Sequence, residues 1–418
     1  MRKAALVSVL FLRALLLAPP ALRAEEVPRF LIESIAVEGA SAGAQRIVVA
    51  ESLLRPGNIY DETELRDATA RIQRLPFVVS TDFRLARGSS FGKYALIIRI
   101  QQIKPLFLDA ESTTTWSVDQ RFFPQPGGGL EIRDELNQSR TGRLVLGSRA
   151  FLGSAGVLNL AAERVEHRND RYTASYSQYD LFGTRASFTV LASYLESPGA
   201  RGRGAPGDRF DWHLRDNITY EAIAVLPLGA NDSLRASWQR EQRPISYFVA
   251  DPQTQQLQHN LRSLPEIRTE VFWIHDTTND PLFPTSGTRM TAGAVRSNTP
   301  TSSFLATGRR KLDELRASAE RSWSITPTQA LTLGGIGSDN DQLIRTYGAY
   351  ATWGLDLWGR ERTLRYGDLR LELGADRVWT RIRSDPFQAR STVHGSVVFR
   401  NAWGVLRLSA DYQGWRND

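Results

Sequence analysis

The 418-residue chain has no cysteine, so no disulfide holds it together, as suits an exported protein that does not rely on such bridges. Beyond its first residues it has no run approaching ~18 consecutive apolar residues, which excludes a helical membrane span. A chain of this kind can cross a membrane only as a closed β-barrel, the other structure that satisfies every backbone group in hydrocarbon. Histidine is scarce: His167, His213, His259, His275 and His394 lie far apart. They form no H-E-x-x-H or other metal spacing, so neither a metal nor a cofactor is expected. G-x-S-x-G occurs at Gly39–Gly43 and at Gly88–Gly92. No histidine precedes His167, so neither Ser41 nor Ser90 has a base within its own domain. Gly202–Gly207 matches G-x-G-x-x-G but contains Pro206, follows no buried strand and opens no helix. The chain is therefore expected not to be an enzyme. Its net charge is +7, but the arginines stand singly along alternating segments rather than in a patch, so no nucleic-acid partner is expected.

Met1-Arg2-Lys3 is a short basic region, Ala4–Ala18 is largely apolar, and Pro19-Pro20 breaks that run. Ala21-Leu22-Arg23-Ala24 then offers a cleavage site. Residues 1–24 read as a secretory signal peptide cleaved near Ala24. Hydrophobic residues make up 41% of the chain and mean hydropathy is negative. That balance suits a soluble protein, and equally a barrel in which every second residue faces a wet lumen. The 10 Trp, 12 Tyr and 18 Phe are as numerous as interfacial girdles require.

Residues 30–102 read as a separate small α+β domain. Leu31–Glu38 is a strand with Ile35 and Val37 on one face. Ile47, Ala50 and Leu54 recur at helical spacing until Pro56-Gly57 stops them. Asp61 with Glu64 three residues on reads as a capping box. It opens a helix whose buried stripe is Leu65, Ala68, Ile72 and Leu75. Val78–Arg87 follows as a strand, and then Tyr94, Leu96, Ile98 and Ile100 alternate on one face. The expected order is β-α-α-β-β, with two helices on a three-stranded sheet.

From residue 105 to 418 the helical period largely gives way to alternation. Leu369, Leu371 and Leu373 enclose Arg370 and Glu372; Leu406, Leu408, Ala410 and Tyr412 enclose Arg407, Ser409 and Asp411. Phe188, Val190, Ala192 and Tyr194 share a face, and Leu144 and Leu146 alternate with Arg143 and Val145. So many charges on a shared interior favour a wet lumen, and the expected class is mainly β, a transmembrane antiparallel barrel. Lys311–Arg321, KLDELRASAER, has helix-forming composition and reads as a strand from context only. The runs number about sixteen, and an even number puts both ends on one side.

The segment Asp276–Arg289, DTTNDPLFPTSGTR, is the pivot of the chain. Pro281 and Pro284 each fix φ and remove a backbone donor, and Gly287 supplies a positive φ, so the segment reads as a hairpin between two long strands. Its pattern of Asp276, Asp280, Pro281, Phe283, Pro284 and Gly287 resembles the periplasmic turn of the BamA/TamA superfamily of outer-membrane barrels. Ala150-Phe151-Leu152-Gly153 and Asp180-Leu181-Phe182-Gly183 resemble that superfamily's N-L-F-G turns. By the same resemblance, 30–102 is a single POTRA-like periplasmic domain. Ile344-Arg345-Thr346-Tyr347 stands where the superfamily's inserted loop carries V-R-G-F/Y, and Leu373–Trp379 resembles its acidic strand. The resemblance thus implies a pair between Arg345 of the loop and Asp376 of the barrel wall. HGSVVFRNAWGVLRLSADY resembles the penultimate hairpin, after which a last strand is expected. Either that strand is lost or Phe107–Trp116 replaces it.

The function implied is insertion of proteins into the Gram-negative outer membrane, or their translocation across it. The implied partners are outer-membrane lipid and an extended polypeptide or periplasmic protein at the POTRA-like domain. A structural or adaptor barrel without transport, and a barrel-associated hydrolase, are the alternatives of other classes.

Overall fold

The computed structural model describes residues 28–124, 130–149, 156–165, 169–196, 217–250, 257–303, 306–340, 344–358, 367–382 and 387–417. Residues 1–24, read above as a signal peptide, and the sequence motifs at 150–153 and 202–207 lie outside these residues.

The first unit follows from its apolar stripes. Strand β1 (Arg29–Glu38) is followed by helix α1 (Ala42–Ser52), β2 (Ile59–Asp61), α2 (Glu62–Gln73), β3 (Val78–Arg87) and β4 (Lys93–Gln102). Ile32, Leu96 and Ile98 from the sheet meet Val48, Leu65 and Ile72 from the helices, and each is almost fully buried. The capping box forms in full: Glu64 N donates to Asp61 Oδ1 at 2.8 Å and Asp61 N to Glu64 Oε2 at 2.9 Å. Leu53, in left-handed conformation, ends α1.

The sheet corrects the expected β-α-α-β-β order, because it has four strands in the order β2-β1-β4-β3. The extra strand is short. After the Pro56-Gly57 turn, Gly57 N donates to Ile32 O at 2.7 Å and Ile32 N to Asn58 O at 3.0 Å. These bonds hold Ile59–Asp61 against the start of β1. Three residues are too few for alternation to announce a strand.

The second unit is a closed barrel. Its strands are β5 (Leu106–Pro124), β6 (Leu130–Arg149), β7 (Gly156–Val165), β8 (Asn169–Gln178), β9 (Ser187–Glu196), β10 (Asn217–Pro227), β11 (Asp232–Ala250) and β12 (Leu257–Asp276). They continue as β13 (Gly287–Ser303), β14 (Ala306–Thr326), β15 (Gln329–Asn340), β16 (Ile344–Asp356), β17 (Asp368–Ile382), β18 (Gln388–Asn401) and β19 (Gly404–Asn417). Neighbours pair antiparallel around the ring until the seam, where β19 runs parallel to β5 from Leu406↔Ala110 to Gly414↔Val118. Among the described residues the barrel therefore has fifteen strands rather than the about sixteen expected. An odd number forces one parallel pair, since the first and last strands then point the same way. The run at Phe107–Trp116 lies in β5, directly beside β19. Where β19 begins, Leu108 N donates to Trp403 O at 2.7 Å and Val405 N to Asp109 Oδ1 at 2.8 Å. Gly404 has φ +138°, and a Cβ there would strike the Leu108 carbonyl.

Alternation assigns the two faces of the wall. Leu108, Leu144, Leu160, Val271, Leu315 and Leu373 point outward and are 48–67% exposed. Their neighbours in sequence point inward, and there Tyr350 Oη donates to Glu320 and Ser237 Oγ to Glu270. An apolar exterior around a charged interior inverts a water-soluble protein and matches a barrel set in lipid. The helix-forming segment 311–321 lies within β14, paired on both sides with β13 and β15.

Candidate functional site

The chain enters β5 from the small domain, and that mouth of the barrel is the near one. The connections 179–186, 228–231, 277–286, 327–328 and 402–403 also open on the near side, because strands alternate in direction. Three groups of contacts seat the small domain there. Arg185, in the turn before β9, holds Glu51 of α1 through two bonds of 2.8 Å. Arg149, closing β6, donates to Gln102 Oε1 at 2.8 Å and Ile103 O at 2.9 Å. Arg74, just after α2, donates to the Asp276 carbonyl and to Asn231 Oδ1 at 3.2 Å, and its guanidinium lies 3.5 Å from the Asp276 carboxylate. Burial pulls the Arg74 guanidinium below its ordinary value and Asp276 opposes that shift, yet it stays charged.

The turn 277–286 lies between the small domain and the far wall of this mouth. Asn279 Oδ1 accepts from Thr285 N at 2.9 Å and Ser286 N at 3.1 Å. Asp280 Oδ1 accepts from Leu282 N and Phe283 N at 2.8 Å each. Gly287 closes the turn at φ +105°, where a Cβ would strike the Thr277 carbonyl. Pro281 is exposed and Pro284 half-buried, each removing a donor that would otherwise need a partner. So ordered, the turn presents Asp280 and Phe283 to β17 and β18. Arg400 donates Nη1 to Asp280 Oδ1 at 3.0 Å and Nη2 to Oδ2 at 2.8 Å. Its Nε reaches Asp368 Oδ2 at 2.8 Å. Gln73 of α2 donates to the same Asp280 Oδ2 at 3.2 Å. The Phe283 ring is 5% exposed, with the Arg400 guanidinium carbon 4.7 Å and that of Arg370 5.4 Å from its centroid. One turn is thereby held by two guanidinium groups of the wall and by the end of α2.

Beside the turn lies a cavity of about 520 Å³, lined by Pro76, Phe107, Asn159, Leu282, Val405 and Arg407 among others. Arg407 lies 4.0 Å from Glu372, and Glu372 lies 3.5 Å from Arg370, so the cavity adjoins the docked turn.

The Arg345–Asp376 pair expected by resemblance is corrected by the register. Arg345 is in β16 opposite Arg381, whereas Asp376 is opposite Tyr350. Five residues separate the two positions along the strands, and odd and even positions face opposite sides of the wall. Arg345 shares the outer face with Leu373 and ion-pairs Asp339 at 3.2 Å. Asp376 points inward. Ile344, Thr346 and Tyr347 likewise belong to β16, paired with Asn340, Ser338 and Gly337. Only residues 341–343 separate β15 from β16, too few to fold back through a lumen.

The structure thus brings together Asp280 and Phe283 of the turn with Asp276 at its entry, and it separates Arg345 from Asp376. Arg370, Arg400, Gln73 and Arg74 complete the site without having been singled out as ligands of the turn. Arg370 did carry a signal, as the inward charge within L-R-L-E-L.

No family profile and no curated protein matches the sequence. Solved structures share its fold. BamA from Haemophilus ducreyi lacking POTRA domains 1–3 is 12% identical with a TM-score of 0.43, covering 93% of this chain and 81% of that one. CdiB from Escherichia coli is 12% identical with a TM-score of 0.47, covering 88% and 70%. CdiB from Acinetobacter baumannii is 11% identical with a TM-score of 0.45, covering 93% and 74%. The chain is similar to BamA and CdiB outer-membrane barrels.

Proposed function

We propose that this chain is a Gram-negative outer-membrane barrel of the BamA/TamA-like superfamily that inserts polypeptides into that membrane or passes them across it. The small domain, residues 30–102, is then POTRA-like and periplasmic, and residues 105–418 form the barrel. The observation that carries the reading is the docked turn. The segment whose pattern resembles the superfamily's periplasmic turn is among those that join the small domain to the barrel wall, through Gln73, Asp280 and Arg400. The apolar exterior supplies the lipid partner. An incoming extended chain has an edge to pair with, since β3 is the outer strand of the small sheet.

A specific observation favours a second reading. Three residues between β15 and β16 replace the inserted loop that the resemblance implies. A barrel without that loop would hold partners at the membrane without transporting them.

Controlled depletion separates the two. Transport or insertion predicts loss of specific polypeptides from the outer membrane or cell surface while the barrel is depleted. An unchanged surface proteome with a lost periplasmic complex identifies the adaptor. In either case the protein should fractionate with outer membranes and migrate faster on gels when unheated; recovery from the soluble periplasm removes both readings.

A further inference from the structure

The docked turn fills a site whose chemistry is more than it uses. Arg370 is 3% exposed, yet among the described residues its Nε and Nη1 have no hydrogen-bond partner. Its nearest carboxylates, Glu372 and Asp356, stand at 3.5 and 3.9 Å. Unbonded guanidinium donors are costly to bury. The wall nevertheless makes room for them, because a Cβ on Gly354 would strike the Arg370 guanidinium. Arg400 beside it already shows what such groups accept: a carboxylate through two hydrogen bonds and an aromatic face at 4.7 Å.

We propose that Arg370 and Arg400 form a receptor for a turn-forming polypeptide segment carrying a carboxylate three residues before an aromatic ring, and that turn 277–286 is its built-in occupant. The inference rests on the polypeptide-handling function proposed above and names the chemistry that the near mouth recognises. Asp280 and Phe283 stand in for the ligand's acid and ring. The site is closed while the turn is docked, and Gln73 ties the docked state to α2 of the small domain. Displacing the turn frees the Arg400 donors that face Asp280, while its bond to Asp368 remains, and exposes the unbonded donors of Arg370. The adjoining cavity of about 520 Å³ gives an incoming segment room to enter past Leu282 and Arg407. A self-occupied site lowers the apparent affinity for an external ligand by the fraction of time it is open.

The test uses the full chain in detergent and a fluorescein-labelled octapeptide, Gly-Asp-Pro-Leu-Phe-Pro-Thr-Gly, with anisotropy as the readout. A control peptide carries Asn and Ala in place of its Asp and Phe. The wild type should bind the peptide weakly. The double variant Asp280→Asn, Phe283→Ala, checked for its heat-modifiable migration, should bind it at least about tenfold more tightly. Adding Arg370→Gln should reverse that gain, and the control peptide should bind neither form. Equal binding of the two peptides, or no gain on releasing the turn, overturns the proposal. Should the double variant not fold, the wild type is labelled with the same peptide carrying a photoreactive phenylalanine at the ring position. Cross-links should map to residues 368–373 and 398–402, and cross-links elsewhere or none overturn the site. Peptide binding without insertion or translocation in the depletion experiment would remove the proposed function and leave this site. Transport without peptide binding would do the reverse.

Discussion

Single residues separate the interactions that matter from those that do not. Arg345 and Asp339 form an outward pair with both side chains about 40% exposed, and such a pair is worth ~0–1 kcal/mol. Arg345→Ala should leave the heat-modifiable migration and its thermal midpoint unchanged within error. Asp280 is the opposite case. Its carboxylate binds Gln73 and Arg400, and removing one partner of a buried charged pair costs about 3–5 kcal/mol. Asp280→Ala should therefore lower the unfolding midpoint clearly. An effect no larger than that of Arg345→Ala would mean that the turn is not docked. At the edge of the small domain, Glu33 accepts from the Ser89 amide and hydroxyl, and these bonds hold its carboxyl below its ordinary value. A depressed carboxylate contributes stability above its unfolded value and loses it as the pH falls through the folded one. Exchange of the Ser89 amide should thus accelerate below about pH 4; exchange following only the intrinsic pH dependence through that range would refute the contact. Arg345 and Asp376 were misplaced for a physical reason. Which residues meet across strands is set by register, and a single strand's sequence does not state its partner's register.

Elements were legible where their signals are local. The Asp61–Glu64 capping box was readable because both of its bonds form within four residues. Asp61→Ala should cost about 0.5–2 kcal/mol, read as a lower unfolding midpoint of residues 30–102; no change would show that the α2 terminus is held by packing alone. The inward charges Arg370 and Glu372 were legible from alternation, and so was the hairpin around Gly287. What residues meet across the mouth was not. Gln73, Asp280 and Arg400 are 207 and 120 residues apart in sequence, and nothing local marks one as the partner of another. β2 was missed because it is three residues long, and β14 was doubtful because KLDELRASAER favours a helix. In the barrel, paired neighbours on both sides outweigh intrinsic propensities of a few tenths of a kcal/mol per residue.

At the scale of the whole molecule, strand count and closure decide the topology. Alternation and turn residues bring out the runs, but the parity of a ring depends on which strands meet at the seam, and that contact joins residues nearly 300 apart. Fifteen strands place the end of β19 at the far rim, beside the ascending β5 rather than at the near mouth with the small domain. The absence of native cysteine allows this seam to be tested directly by disulfide trapping. Thr114→Cys with Ala410→Cys places two thiols on directly opposed positions of the parallel pair, within the reach of a disulfide. Leu108→Cys with Ala410→Cys displaces one thiol by six residues along β5, about 20 Å. Mild oxidation of the membrane-embedded protein should cross-link the first pair nearly completely, giving a covalently looped chain whose heated form changes mobility when reductant is added, and should leave the second pair open. Cross-linking of the displaced pair, or of neither, would contradict a fifteen-stranded barrel closed by β5 and β19.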